Sequence, residues 1–193
     1  SEMCIRDRDF LMKGTIPTSD FLKALLDKET GLRKPDHLLS HVSIHEVPGF
    51  PRMLIITDVA FNITPTLEEK AKIIDNAITI ARVIGIEVPK VACVAAIEKV
   101  NPKIPATVEA AELARMSREN RFPGAIVEGP FGFDNAVDLR SAEIKGIRNE
   151  VAGVADIILV PDMQSGNFIY KTLTTIAGGT VAAVVVGATA PVI

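Results

Sequence analysis

Four short apolar runs without polar alternation constrain this chain most: residues 53–57, 91–96, 157–160 and 182–186. A strand with one wet face alternates, and a strand covered on both faces does not. The segments between these runs carry apolar residues at helical spacing. In the clearest, Leu67, Ala71, Ile74, Ile78, Ala81 and Ile84 share one stripe. Pro65 reads there as the first helical residue, Thr64 or Thr66 as its cap and Gly85 as the stop. A helix is also expected from Ser19 and Asp20, with Phe21, Leu22, Leu25 and Leu26 on one face. Others are expected over residues 105–119, with Val108, Ala111 and Ala114 on one side, and over residues 165–177. Residues 41–47 alternate in part like a strand, and residues 125–127 suit a short one. Strands and helices in this order predict an α/β fold: a parallel sheet with helices on both faces.

Composition narrows the function classes. The 193 residues suffice for a sizeable core, and 48% are hydrophobic against 23% charged, a globular balance. The net charge of −3 is interspersed, so no basic stripe points to nucleic acid. The longest apolar run, residues 181–186, has the length of a strand and not of a membrane span. No signal-like apolar region opens these residues, so a cytoplasmic setting is expected. Cys4 and Cys93 make neither a disulfide framework nor a zinc motif. Residues 1–8 show no period and read as a non-native scar, leaving residues 9–193 as a partial domain with a possible lobe boundary near residues 62–89. The chain stops where an apolar segment resumes at Ala190, Pro191, Val192 and Ile193, which suggests a truncated piece.

Open parallel sheets bind ligands beyond the carboxyl ends of their strands. The residues after each strand therefore matter most. Asp58 to Asn62 follow the first apolar run, and Glu128, Gly129, Pro130, Phe131, Gly132, Phe133, Asp134 and Asn135 follow residues 125–127. Pro161, Asp162, Ser165, Gly166, Asn167, Tyr170 and Lys171 follow residues 157–160. Asp, Asn and Gly together suit tight turns that aim polar groups into a crevice. Gly166 and Asn167 near a helix start would offer backbone N–H groups to an anion. Lys171, one turn further, could bring an ammonium to the same anion. Each of these residues could equally be a turn or cap. Walker A, G-x-G-x-x-G and G-x-S-x-G signatures are absent. His37, His41 and His45 fall four apart, but Val42, Ile44 and Val47 favour a strand there, so a polar or core role is expected and not a metal site.

The blocks Glu128-Gly129-Pro130-Phe131-Gly132-Phe133-Asp134-Asn135-Ala136, Ala155-Asp156-Ile157-Ile158-Leu159-Val160-Pro161-Asp162 and Gly166-Asn167-x-x-Tyr170-Lys171 together resemble the phosphate acetyl/butyryltransferase family. Lys13-Gly14 with Thr18-x-Asp20-Phe21-Leu22, and Asp58-x-Ala60-x-Asn62-x-x-Pro65, are similar to its earlier blocks. Asn101-Pro102-Lys103-Ile104-Pro105-Ala106-Thr107 resembles the butyryltransferase branch. The resemblance runs from about Phe10 to Ile193.

The resemblance implies α/β lobes like those of isocitrate and isopropylmalate dehydrogenases. It implies transfer of a short acyl group between coenzyme A and inorganic phosphate, both as substrates, with no metal or cofactor. It also implies a homo-oligomer. The implied substrate-binding residues are Asp134, Asn135, Asp162, Gly166, Asn167, Tyr170 and Lys171, with Lys13 and Asn62 second. The family's Ser-Arg segment lies beyond Ile193, so no catalytic residue is assigned and the 193 residues alone are expected to have little or no activity. The alternative that the resemblance leaves open is a non-catalytic acyl-CoA-binding regulatory domain, as in malic enzymes.

Overall fold

The computed structural model describes residues 10–27, 31–32 and 37–193, apart from the side chains of residues 18, 19, 22 and 26. Residues 1–8 and Cys4 lie outside this range. The elements, in order, are α1 (Thr18–Leu26), β1 (Ser40–Glu46), β2 (Leu54–Thr57), α2 (Leu67–Val83), β3 (Lys90–Val94), α3 (Pro105–Arg118), β4 (Ile126–Phe131), α4 (Phe133–Val137), α5 (Leu139–Ile144), β5 (Ile157–Leu159), α6 (Met163–Thr175) and β6 (Thr180–Val186). Six strands form one sheet in the order β4-β3-β5-β2-β1-β6.

The sheet is mixed, which corrects the expectation of a wholly parallel one. β4, β3, β5 and β2 run parallel, whereas β1 is antiparallel to both β2 and β6. The reason is local. β1 and β2 are joined by a short turn, and a parallel pair would need a long crossover. Three of the four parallel strands, β2, β3 and β5, come from the apolar runs, whereas the fourth run forms β6, at the edge and antiparallel to β1. Alternate residues along the parallel strands feed two cores. Ile55, Val91, Cys93, Val127, Ile157 and Leu159 pack under α2 and α3. Leu54, Ile56, Ala92, Val94 and Ile158 pack under α4, α5 and α6. Ile55, Ile56, Ile157 and Ile158 are wholly buried, and each contributes roughly 1.5–3 kcal/mol by leaving water.

Helix boundaries follow their capping chemistry. α2 begins at Leu67, not at Pro65: Thr66 is the N-cap, its hydroxyl accepting from the Glu69 backbone N–H while the Glu69 carboxylate accepts from the Thr66 N–H. That reciprocal pair satisfies two donors that a helix start leaves open. Ala71, Ile74, Ile78 and Ala81 are buried as their period requires. Gly85, at φ +96°, ends the helix in a conformation that favours glycine. In α1, Leu25 is buried and Phe21 half-buried, while Leu22 and Leu26 have side chains outside those described. α3 buries Thr107, Ala110, Leu113 and Ala114, and Val108 faces solvent at 43% exposure. The buried stripe is thus rotated from the one expected, because Leu113 and not Val108 meets the sheet.

β4 is longer than the apolar run indicates. It continues through Glu128, Gly129, Pro130 and Phe131, residues expected in a loop. β4 is an edge strand, and proline is tolerated there because its outer side needs no N–H. The opposite edge is completed by single bridges: Val192 pairs with Val185 and with Leu11.

Candidate functional site at the strand tips

The exits from β2 and β5, neighbours in the sheet, diverge. β2 continues toward α2 on one face, and β5 continues into α6 on the other. Neighbouring strands whose continuations part in this way are where open α/β sheets hold ligands.

The β2 exit is built around Asp58, which is 2% exposed. Its carboxylate accepts from the backbone N–H groups of Ala60, Phe61 and Asn62 at 3.0, 3.1 and 3.1 Å. It also accepts from the Asn62 amide at 2.6 Å, and that amide donates to the Leu39 carbonyl at 2.8 Å. Such a loop is a local turn closed by one aspartate. Asn62 therefore has its nitrogen engaged and only its amide oxygen free for a ligand.

The β5 exit leads straight into α6. Asp162 is the N-cap, accepting from the Ser165 N–H at 2.8 Å and hydroxyl at 2.9 Å. Met163 N–H donates to the Ile63 carbonyl at 3.1 Å, and Gly166 N–H donates to the Asp162 carbonyl at 3.2 Å. These N–H groups are engaged within the protein. The expectation that the Gly166 N–H meets an anion is thereby corrected: the Asp162 carboxylate already occupies the positive end of the helix. Gly166 has a packing role instead. A β-carbon there would stand 2.7 Å from the Asp58 carbonyl oxygen and 3.0 Å from the Val59 α-carbon.

Asn167 and Lys171 lie one turn apart on the same exposed face of α6. The Asn167 amide leans on the Val59 carbonyl at 3.4 Å, so this face meets the β2 exit. The Lys171 ammonium lies 5.4 Å from the centre of the Tyr170 ring. Asn62, Asp162, Gly166, Asn167, Tyr170 and Lys171 thus belong to two adjoining strand exits.

Three other expected residues stand apart. Asp134 and Asn135 follow β4, with β3 between them and β5. Asp134 lies 3.7 Å from the Lys145 ammonium, which also meets Glu98 at 3.1 Å. That bond to Glu98 holds the Lys145 ammonium above the usual lysine range. Asn135 is wholly buried. Its backbone carbonyl accepts from Gly153 N–H at 2.9 Å, and its amide oxygen meets no donor among the described residues. Lys13 lies beyond β6 at the far edge, where its N–H donates to the Ile193 carbonyl at 2.7 Å.

Sequence reasoning passes over a second polar group on the other face. Lys70 of α2 is 4% exposed, and its ammonium pairs with Glu109 of α3. They line a recess of about 10 Å³ with Cys93, Val94, Leu159 and Pro161, room for about one water molecule. Burial pushes the Cys93 thiol up to about 12. The only sequence signal for this pair is a charge set beside each of two apolar stripes. Among the described residues, no group of three or more His, Cys, Asp or Glu is arranged to hold a metal ion. No helix among them is long and apolar enough to cross a membrane.

Sheet, helices and polar strand exits define an open-sheet α/β protein with its polar residues gathered along the carboxyl edge. Residues 5–193 match the phosphate acetyl/butaryl transferase family, and the chain belongs to that family. It is 48% identical over 184 residues to a probable phosphate butyryltransferase of Bacillus subtilis, covering 95% of this chain and 61% of that protein. It is 46% identical to a phosphate acetyltransferase of Thermotoga maritima, covering 96% of this chain and 63% of that protein. Among solved structures, a branched-chain phosphotransacylase from Enterococcus faecalis superposes with a TM-score of 0.86 at 35% identity, over 96% of this chain and 66% of that one. The chain thus spans about three fifths of the length of the curated relatives it matches.

Proposed function

We propose that the protein transfers a short acyl group between coenzyme A and inorganic phosphate. The arrangement that carries this reading is Asn167 and Lys171 on one exposed face of α6, against the β2 exit. In the forward direction a phosphate oxygen attacks the thioester carbonyl, the C–S bond breaks, and coenzyme A leaves as its thiol after taking up a proton. The Lys171 ammonium neutralises charge on the phosphate, and the Asn167 amide orients it through the hydrogen-bonding capacity that Val59 leaves free. Positioning and charge neutralisation supply such a reaction with most of its rate. Asn62 offers its amide oxygen to the same space, and Asp162 and Gly166 hold α6 in place. Asp134, at the β4 exit, extends the proposed site along the carboxyl edge, where a substrate as long as coenzyme A would run; the buried Asn135 supports that exit from within, and Lys13 is a more distant member of the proposed substrate-binding set. The reading further includes a butyryl-like acyl group, no cofactor beyond the two substrates, a cytoplasmic setting and a homo-oligomer.

The test is acyl phosphate formation by the protein as its gene encodes it. Acetyl-, butyryl- and isobutyryl-coenzyme A are offered with inorganic phosphate, and release of the free thiol is followed. The reading expects phosphate-dependent release with at least one thioester. Absence of phosphate dependence with all three overturns it.

A further inference from the structure

Beneath α6, the face of β1 that carries His41, Ser43 and His45 meets a single aromatic side chain. The Tyr170 ring lies edge-on to both imidazoles, with centroids 5.3 Å from His45 and 6.4 Å from His41 and interplanar angles of 80° and 74°. His45 and Ser43 are wholly buried. The hydrogen bonding fixes the tautomer of His45. The Ser43 hydroxyl donates its one proton to the Ile56 carbonyl at 2.9 Å. It must therefore accept from His45, whose Nε2 lies 2.9 Å away. Nδ1 of His45 is left as a buried lone pair, and among the described residues no group meets it or Nδ1 of His41. Two neutral imidazoles with silent Nδ1 atoms thus grip one ring, and the residue after that ring is Lys171.

We propose that the His41–Tyr170–His45 stack is the positioning device of the anion site. It sets the rotation of α6, and with it the direction in which Asn167 and Lys171 project. This deepens the phosphate-binding reading above and rests on it. The geometry gives the stack leverage. Tyr170 reaches β1 from α6 through both ring contacts, whereas the Asn167 amide meets the β2 exit through a long contact of 3.4 Å. Edge-to-face contacts are directional, so they resist rotation more than aliphatic packing does. Protonating either imidazole would place a cation, buried at His45 and half-buried at His41, beside the ring and beside its partner, where the Lys171 ammonium already stands 5.4 Å from the same ring. The other groups facing the stack are few. Asp58, from the β2 exit, interacts with His41, the Thr57 hydroxyl donates to the His41 carbonyl at 3.0 Å, and Glu46 follows on the exposed end of β1. Among the described residues, only Asp58 opposes a positive charge on His41, and no carboxylate is placed to do so for His45. A neutral stack is therefore the state in which α6 is held.

Binding of inorganic phosphate, measured by titration calorimetry on the protein as its gene encodes it, tests the proposal. Tyr170→Leu should weaken phosphate about tenfold, the loss of one or two aromatic contacts. Tyr170→Phe, which keeps the ring, should recover most of that loss. His41→Phe/His45→Phe should bind phosphate at pH 7.5 to within about twofold of the parent and should lose the weakening expected of the parent as pH falls toward 4. The variant experiences the same ionisation of phosphate, so the difference between the two profiles isolates the imidazoles. Parent-like binding by Tyr170→Leu, or an unchanged acid profile in the double variant, overturns the proposal while leaving the functional reading intact. If the parent itself binds no phosphate at any pH, the reading of the site falls, and the proposal with it.

Discussion

Gly166 rests directly on the backbone of Asp58: a β-carbon at Gly166 would stand 2.7 Å from the Asp58 carbonyl oxygen and 2.9 Å from a methyl group of Val160. Helix α6 can begin where it does only because position 166 has no side chain. Gly166→Ala must therefore push the start of α6 away from β2. It should lower unfolding stability by roughly 1–3 kcal/mol, the usual cost of overpacking. It should also weaken phosphate more than an exposed substitution on α6 does. Urea denaturation with a phosphate titration on the same variant checks both.

Lys171 is exposed, and its ammonium lies beside the Tyr170 ring. Lys171→Gln should leave the unfolding midpoint within about 0.5 kcal/mol of the parent, as surface changes do. In the acyl phosphate assay it should raise KM for phosphate by about tenfold or more, since a charge-assisted contact contributes on the order of 1.5–3 kcal/mol. Unchanged KM would remove Lys171 from the site.

Lys70 and Glu109 join α2 to α3 around a recess that holds about one water molecule. Removing one partner strands a charge, and Lys70 is the deeper of the two. Glu109→Leu should cost about 3 kcal/mol, whereas Lys70→Met/Glu109→Leu should recover most of it, because a buried pair can be exchanged for apolar packing at little net cost. A double-mutant cycle by chemical denaturation measures the difference.

His45 gives the protein an acid-sensitive stability. Burial, followed by the neighbouring His41, lowers its pKa from 6.5 to about 4, and burial lowers that of His41 too. The unfolded chain therefore binds protons that the folded one refuses. Stability has its full value above about pH 6.5 and falls as pH drops toward 4, by on the order of 3 kcal/mol for His45. Unfolding free energies at pH 7 and pH 5 should differ less in His45→Phe than in the parent. Equal differences would show that His45 does not titrate as its surroundings require.

Cys93 is wholly enclosed between the sheet and α3, with its thiol pushed up to about 12. The thiolate is the reactive form. Comparing parent with Cys93→Ala, native labelling by a maleimide at pH 7.5 should be the same for both, whereas labelling in urea should differ by one equivalent.

All six strands leave a mark in the sequence: β2, β3 and β5 as runs buried on both faces, β6 as an apolar run that proves to be a half-buried edge, β1 by partial alternation and β4 only by its first residues. Strand direction is not legible in the same way. A periodicity reading tells how deeply residues 41–47 are buried and nothing about which way they run, so the antiparallel β1 comes from the turn that precedes β2. α4 and α5, of five and six residues, are too short to show a helical period. At the site, the chemical types at the exits of β2 and β5 stand out as clusters of Asp, Asn and Gly. Their division of labour does not, since whether Asp162 caps a helix or faces a ligand depends on where Ser165 turns its N–H. The Lys70–Glu109 pair escapes notice because its members belong to two separate stripes. The His41–Tyr170–His45 stack escapes because residues from opposite ends of the chain meet only after the sheet has formed.

The bridges that tie Leu11 to Val192, and Val192 to Val185, impose an order on assembly. A ribosome delivers residue 11 long before residue 192, so the partner that Leu11 needs does not exist during most of synthesis. The parallel strands can condense around their two apolar layers in the meantime, while the outermost hem waits. Protease accessibility near Leu11 in stalled nascent chains should therefore persist until the codons for Pro191 to Ile193 have been translated and their product has cleared the exit tunnel.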